Sequence, residues 1–188
     1  MEALRTRDVQ AIWCLGDLVG DLDSEATVRL ALESCQIVIA GNHDRVVTRA
    51  LPQMYEATHD VDGSIERIRN SLSAGTHDQL AALPTEHSVE DVQAAHAALD
   101  HAVAHVDDEH AASSQLALAD ARFLALGHAH RAFCYLDDGR WFIDPQGELQ
   151  LTDSALVCPG AVRSTGTRVG TVCVLDTDAA TCSWLPVE

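Results

Sequence analysis

Residues 11–44 decide the fold, and they read AIWCLGDLVGDLDSEATVRLALESCQIVIAGNHD. Two apolar runs, Ala11–Leu15 and Cys35–Ala40, predict buried β-strands, and the amphipathic segment Ser24–Glu33 between them predicts a helix. A strand, a helix and a second strand within about thirty residues predict a βαβ unit with parallel strands. Because functional loops gather beyond the carboxyl ends of such strands, we expect the polar residues after both runs to lie on one rim.

The rest of the chain is predicted to contain a helical segment followed by β-structure. Between about residues 45 and 88 apolar positions recur at helical spacing, as at Ile65, Ile68 and Leu72, which indicates a helical excursion from the sheet. Residues 102–112 have no strong period and indicate a loop or a short helix. From residue 123 onward short apolar runs alternate with turn signals, which favours antiparallel strands. These runs are 123–126, 132–136, 140–143, 155–158, 170–175 and 182–185.

The composition favours one domain over residues 1–188. The chain is 47% hydrophobic, which is enough for one core, and no apolar stretch is long enough to span a bilayer. The first ten residues lack the apolar run of a signal peptide, so we expect a soluble, cytoplasmic protein with no membrane partner. The six cysteines never form a CxxC pair, and we expect buried free thiols rather than a disulfide frame or a thiolate metal site.

The charge balance argues against a nucleic-acid partner. The net charge is −17, from 29 acidic and 12 basic residues, and every basic residue is arginine. Proteins that bind nucleic acid concentrate positive charge, and this sequence has no basic cluster. We therefore expect small-molecule substrates and no long nucleic acid as partner.

Four polar clusters follow apolar runs along the chain. They are GDLVG at 16–20, GNHD at 41–44, AHA at 95–97 and GHAH at 127–130. Each places a carboxylate, an amide or an imidazole just beyond a predicted strand. Glycine beside a ligand lets the backbone turn sharply. The mixture of nitrogen and oxygen donors, without thiolate, suits Mn, Fe, Co, Ni or Zn.

The order of these clusters resembles that of the calcineurin-like metallophosphoesterase superfamily, and in particular its small bacterial phosphodiesterases. The resemblance extends to PGAV at 159–162, which is similar to the NPGSV stretch of those proteins. It implies an α/β fold, namely a four-layer αββα sandwich with mixed sheets. It also implies a hydrolase of small phosphomonoesters or phosphodiesters with a dinuclear centre of divalent metal ions such as manganese.

The resemblance also implies a set of metal ligands. Asp17 would bridge both ions, and Asn42, His96 and His128 would complete the second metal site. His130 would bind the first ion. In the family mechanism, a hydroxide held between the metals attacks phosphorus in line while both ions neutralise charge on the phosphate oxygens.

Two further residues receive catalytic roles from the same resemblance. His43 would contact the substrate phosphate and assist the leaving group. Asp44 would orient the ring of His43, as a carboxylate next to a catalytic or metal-binding histidine does.

Two features depart from the family pattern. The family opens with a strand that ends in Asp-x-His and gives two ligands to the first metal, and no such motif precedes Asp17. The first residues resemble the helix that follows that motif, so we expect the first β-strand to be missing and this chain to hold one metal ion. In addition, Ala97 stands where a glycine commonly follows the histidine.

These departures leave alternatives to the enzyme. One is a non-catalytic metal-binding or regulatory relic of the same fold, and another is a hydrolase or sensor with a single metal. The six other histidines have no family role and are expected at the surface, although His101 and His105 lie close enough to His96 in sequence to approach the pocket. These six are His59, His77, His87, His101, His105 and His110.

Overall fold

The computed structural model describes residues 8–20, 23–52, 63–163 and 169–187. The chain divides into two compact units, a first unit formed by Ala11–Glu86 and a second unit formed by His87–Glu188 with Met1–Gln10. The expectation that residues 1–188 form one domain stays a prediction. Within the described ranges, no helix is both long enough and apolar enough to cross a membrane.

The first unit begins with the predicted strand, helix and strand. β1 (Trp13–Cys14) and β2 (Ile37–Val38) pair in parallel, and α1 (Ser24–Ser34) connects them. Both strands are shorter than the apolar runs that predicted them, since the paired register covers two residues of each. Three helices follow, namely α2 (Asn42–Val47), α3 (Ser64–Ser71) and α4 (Ala74–Ala81). The described part of the predicted excursion is therefore helical up to residue 81, and residues 53–62 lie outside the described residues. The prediction is wrong at its end, since a β-strand begins at Glu86.

Polar side chains join the helices of the first unit. The carboxylate of Glu25 on α1 accepts hydrogen bonds from Thr76 Oγ1 at 2.6 Å and from Ser73 N at 3.0 Å, at the start of α4. These bonds, the one from Thr76 above all, lower the pKa of the Glu25 carboxyl. Arg69 on α3 donates to the carbonyl oxygens of Val46 and Val47 at 2.9 Å each, which caps the last turn of α2. The position of α2 is thus fixed from its carboxyl end.

The second unit contains a six-stranded mixed sheet and a three-stranded antiparallel sheet. Its strands are β3 (Glu86–Val89), β4 (Val92–Ala95), β5 (Phe123–Leu126), β6 (Ala132–Leu136), β7 (Trp141–Ile143), β8 (Glu148–Gln150), β9 (Ala155–Pro159), β10 (Gly170–Asp176) and β11 (Thr181–Val187). The strand orders are β3-β4-β5-β9-β6-β7 and β10-β11-β8. In the large sheet β4, β5 and β9 run parallel, and β6 is antiparallel to both β9 and β7.

Side chains alternate across the large sheet and form two cores. Phe133 and Tyr135 of β6 pack on the face covered by α5 (Glu109–Leu118), and Cys134 and Leu136 pack on the opposite face. The three-stranded sheet covers that opposite face with the side chains of Cys182, Trp184 and Leu149. A strand buried on both faces reads as a continuous apolar run, which is what AFCYL shows.

The observed elements confirm a mixed α/β fold. The structure corrects the assignment at residues 102–112, since α5 begins at Glu109 and runs to Leu118, beyond the predicted loop or short helix. Residues 1–7 lie outside the described residues, so the expectation that the first β-strand is missing stays a prediction.

Candidate functional site

A fully buried carboxylate, that of Asp44, joins two loops of the first unit. Its Oδ2 atom accepts hydrogen bonds from the backbone N–H groups of Gly41 at 2.8 Å and Asp17 at 2.9 Å. Its Oδ1 atom accepts from Leu18 at 2.9 Å and Val19 at 3.1 Å. A carboxylate has about four acceptor positions, so four such bonds can be held at once. The loop after β1 and the start of α2 are therefore held together by one side chain.

Asp17 occupies an unusual backbone conformation within this network. Its φ angle is +59°, in the left-handed region that aspartate tolerates better than most residues. Its Oδ1 atom accepts a hydrogen bond from the backbone N–H of His43 at 3.0 Å. Because His43 contributes a backbone group to this bond, its side chain is not needed to place the Asp17 carboxylate. The adjacent Asn42 is buried, whereas His43 is exposed.

Gly41 lets the two loops approach each other. A Cβ atom added at Gly41 would lie 2.1 Å from Asp17 Oδ1 and 2.3 Å from the Asp17 backbone nitrogen. Both distances are shorter than real Cβ contacts, and one of the atoms belongs to the backbone. The glycine is therefore required by space, which agrees with the predicted role of glycine beside a ligand.

Gly41→Ala is expected to lower the free energy of unfolding by about 1–3 kcal/mol and to displace the Asp17 loop, because the added methyl group overlaps that loop. Urea unfolding of both proteins measures the change. Gly75→Ala is the matched control, since a Cβ at Gly75 meets no atom within 4 Å and lies in α4. This control should be neutral or stabilising by up to about 1 kcal/mol. Equal unfolding midpoints for the two variants would contradict the steric explanation.

A small cavity of about 90 Å³ opens beside His43 in the first unit. Aliphatic side chains of α2 and α3 form one wall, and polar groups of the GNHD segment form the other. The lining residues are Gly20, Asn42, His43, Val46, Ser64, Ile65 and Ile68. Because a water needs about 10–15 Å³ of such space, the cavity has room for several water-sized groups.

In the second unit, His96 and His128 follow the ends of neighbouring parallel strands. Ala95, the last residue of β4, pairs in register with Leu126, the last residue of β5. The two imidazole rings that follow have their centroids 5.1 Å apart, with an angle of 62° between their planes. His96 is buried. The two rings therefore lie side by side beyond the carboxyl ends of adjacent parallel strands.

The GHAH segment turns sharply after β5. The φ angles of His128 and His130 are +62° and +52°, so both histidines adopt the left-handed conformation that few residues other than glycine enter. The N–H of Ala129 donates to the carbonyl oxygen of Gly127 at 2.7 Å, which closes the turn between them. Such conformations persist where the surrounding structure imposes them, and they cluster at functional sites. His130 lies at the exposed end of this segment.

His105 is a residue whose position the sequence did not reveal. Its ring stacks on that of His128, with centroids 4.0 Å apart and 26° between the planes. Its closeness to His96 in the sequence was the one signal, and the default expectation placed it at the surface. It is exposed, yet it covers one face of a proposed ligand. The structure thus groups three histidines, His96, His105 and His128, in the second unit.

The proposed site residues fall into two sets. The first unit groups Asp17, Asn42, His43 and Asp44 around one network, and the second unit groups His96 with His128 and places His130 two residues further on. The donors are a carboxylate, an amide oxygen and imidazoles, which fit a divalent ion of the borderline or hard type. The contacts of Asp44 given above are with the backbone of both loops. That Asp44 also orients the ring of His43 stays a prediction, as do the individual ligand assignments.

Solved structures with the same fold support the architecture. A metallophosphoesterase from Sphaerobacter thermophilus superposes with a TM-score of 0.84 at 21% identity, covering 100% of this chain and 82% of that one. A hypothetical protein from Pyrococcus horikoshii OT3 gives a TM-score of 0.71 at 13% identity, covering 100% and 79%. An archaeal phosphodiesterase gives 0.50 at 13% identity, covering 99% and 88%.

Sequence comparison identifies the family itself. No curated protein matches the chain. The profile of the calcineurin-like phosphoesterase superfamily domain matches residues 1–180, which include all the site residues discussed above. The chain therefore belongs to the calcineurin-like phosphoesterase superfamily.

Proposed function

We propose that this protein is a metal-dependent phosphoesterase that hydrolyses small phosphomonoesters or phosphodiesters. The observation that carries the proposal is the Asp44 network, which fixes the GD and GNHD segments to each other through four backbone hydrogen bonds. A fully buried carboxylate is costly unless it is paired or hydrogen-bonded. By bonding to the backbone of both segments, the Asp44 carboxylate holds Asp17 and His43 in fixed positions, and catalytic groups need fixed positions.

The proposed ligands are those that the family resemblance assigns. Asp17, Asn42, His96 and His128 would hold one ion, and Asp17 and His130 would contribute to a second. When bound, divalent ions supply Lewis-acid chemistry, because they neutralise charge on phosphate oxygens and lower the pKa of water. The neighbouring imidazoles of His96 and His128, with ring centroids 5.1 Å apart, support this assignment.

His43 is proposed to act on the substrate directly. It is the second residue of α2, its ring is exposed, and its backbone is held by the bond to Asp17. The imidazole is thus available to donate a hydrogen bond to a phosphate oxygen and to pass a proton to the oxygen of the leaving group. The cavity beside it, walled by Val46, Ile65 and Ile68, offers space for part of the leaving group.

The substrate is proposed to be a small molecule. The net charge of −17 repels polyanions, and the twelve basic residues are all arginine without a cluster in the sequence. Long nucleic acids and anionic membrane surfaces are therefore poor partners.

Metal titration tests the ligand count. By the proposed assignment, four side chains of the 188-residue polypeptide bind one ion, and two side chains bind the other. Metal affinity falls with each protein ligand that water must replace. We expect about one tight equivalent of Mn²⁺ per chain by calorimetry or metal analysis after gel filtration. Asp17→Ala should abolish it, and Asp78→Ala, in α4 of the same unit, should not. Two tight equivalents would show that a further side chain, such as His101 or His105, serves the first ion.

Activity is tested with aryl phosphomonoester and bis-aryl phosphodiester substrates, with added Mn²⁺ and with chelator. Hydrolysis that requires the metal and is lost in Asp17→Ala supports the proposal. The same assay on a polypeptide extended at its N-terminus by a strand ending in Asp-x-His measures what a complete first site adds. Metal binding without hydrolysis in both polypeptides would instead favour the metal-binding relic.

A further inference from the structure

Two cysteines of the second unit lie closer together than separate thiols do. The Sγ atoms of Cys173 on β10 and Cys182 on β11 are 2.8 Å apart. Carbon atoms in van der Waals contact are about 3.5–4.0 Å apart, and sulfur is larger than carbon. The strand register explains the approach, because Cys173 lies opposite Trp184 and Cys182 lies opposite Leu175. The two cysteines are therefore diagonal neighbours on adjacent antiparallel strands.

Both side chains point to the same face of their sheet. Cys173 and Leu175 are half-buried, and both pack against the core that contains Cys182 and Trp184. Side chains two residues apart on a strand share a face, so the Cα–Cβ bonds of the two cysteines point in the same direction. A disulfide needs a sulfur separation of about 2.05 Å, so the observed 2.8 Å must shorten by roughly 0.75 Å for the bond to form. Because the Cα atoms of diagonal neighbours lie about 7–8 Å apart, slightly beyond the usual span of a disulfide, the two strands must also draw closer.

We propose that Cys173 and Cys182 are a modification site, at which a small-molecule disulfide oxidises the two thiols to an intrachain disulfide. Cys173 is partly exposed, whereas Cys182 is fully buried, so Cys173 reacts first. Its thiolate attacks the small disulfide, forms a mixed disulfide and releases one small thiolate. The sulfur of Cys182 then loses its proton and attacks the Cys173 sulfur, and the second small thiolate leaves. Two protein thiols are oxidised and one small disulfide is reduced to two thiols.

The short Sγ–Sγ distance, and not the pKa, distinguishes this pair from the third cysteine of the same core. That third cysteine, Cys134, lies on β6, and burial raises the pKa of its thiol to about 12. The thiol of Cys182 also has a raised pKa, first because of its hydrogen bond with Cys173 and then because of burial. The step that closes the disulfide therefore depends on the contact with Cys173, and it accelerates as the pH rises.

Peptide mapping tests the link directly. The purified chain is incubated with oxidised glutathione at mildly alkaline pH, alkylated under denaturing conditions and digested with trypsin, which cuts after arginine. One peptide, residues 169–188, then contains both cysteines. We expect this peptide to lose both alkyl labels and to be about 2 Da lighter than its reduced, unlabelled form, since two hydrogen atoms are removed. Full alkylation at both positions, or a cross-link to the peptide that contains Cys134, would overturn the proposal.

Thermal unfolding gives a second readout. Closing the segment between the two cysteines restricts the unfolded chain, so oxidation should raise the unfolding temperature by about 5–10 °C, and dithiothreitol should reverse the shift. Cys173→Ser should abolish the shift, and Cys35→Ser, in the first unit, should retain it. Because Cys173 is partly exposed, its serine variant is expected to fold. A shift of equal size in Cys173→Ser would assign the effect to other thiols and reject the proposed pair.

Discussion

Asp44→Asn is expected to lower the free energy of unfolding by about 2–6 kcal/mol, because two of the four backbone N–H groups lose their acceptor. Oδ1 serves Leu18 and Val19, and Oδ2 serves Asp17 and Gly41. Asparagine retains a single oxygen, so whichever pair faces the NH₂ group is left unsatisfied in a fully buried position. This loss is a large part of the free energy of unfolding of a typical domain, which is roughly 5–15 kcal/mol.

Urea unfolding followed by circular dichroism measures this loss. Asp138→Asn is the control, since Asp138 is exposed and pairs with the exposed side chain of Arg140 at 2.7 Å. Exposed ion pairs contribute little, so the control should unfold like the wild type. Metal titration of Asp44→Asn under folding conditions should show weaker binding, because Asp17 is no longer held. Equal stability of the two variants would contradict the role assigned to the Asp44 network.

The sequence predicted β5, β6, β7, β9, β10 and β11 of the second unit for a physical reason, but it missed β3, β4 and β8, and β5 and β9 run parallel rather than antiparallel as expected. Runs such as AFCYL at 132–136 are buried on both faces, so they stay apolar throughout and end at turn residues. Helix α5 was harder to predict, because its residues EHAASSQLAL carry a weak apolar period. One signal was present. Asp108 caps this helix through a bond from Ala111 N at 2.7 Å, and a capping aspartate is visible in the sequence.

Contacts between residues far apart in sequence were not predictable from local patterns. Asp44 binds the backbone of Asp17 across 27 positions, and this pairing depends on where β1 and α2 meet. The stacking of His105 on His128 depends equally on the path of a loop that has no period. The Cys173–Cys182 contact follows from the β10–β11 register, which spacing alone does not fix. The sequence thus predicted the candidate residues, but it did not predict what holds them in place.

His43→Ala is expected to lower kcat by about 100-fold to 1,000-fold while leaving metal binding and stability unchanged. The backbone N–H of residue 43 still donates to Asp17 Oδ1 in the variant, so the Asp17 carboxylate, the proposed metal ligand, keeps its position. His110→Ala is the matched control, since His110 is also an exposed histidine at the second position of a helix. This control should keep full activity.

The leaving group distinguishes proton donation from simple charge stabilisation by His43. A nitrophenolate leaves without help from an acid, whereas a phenolate or an alkoxide needs a proton. If His43 delivers that proton, the loss in His43→Ala should be larger for phenyl phosphate than for nitrophenyl phosphate. Equal losses for both substrates would assign His43 to binding the phosphate alone. A parallel loss of Mn²⁺ affinity and activity would instead place His43 among the groups that hold the metal, because only a ligand or its direct support links the two readouts.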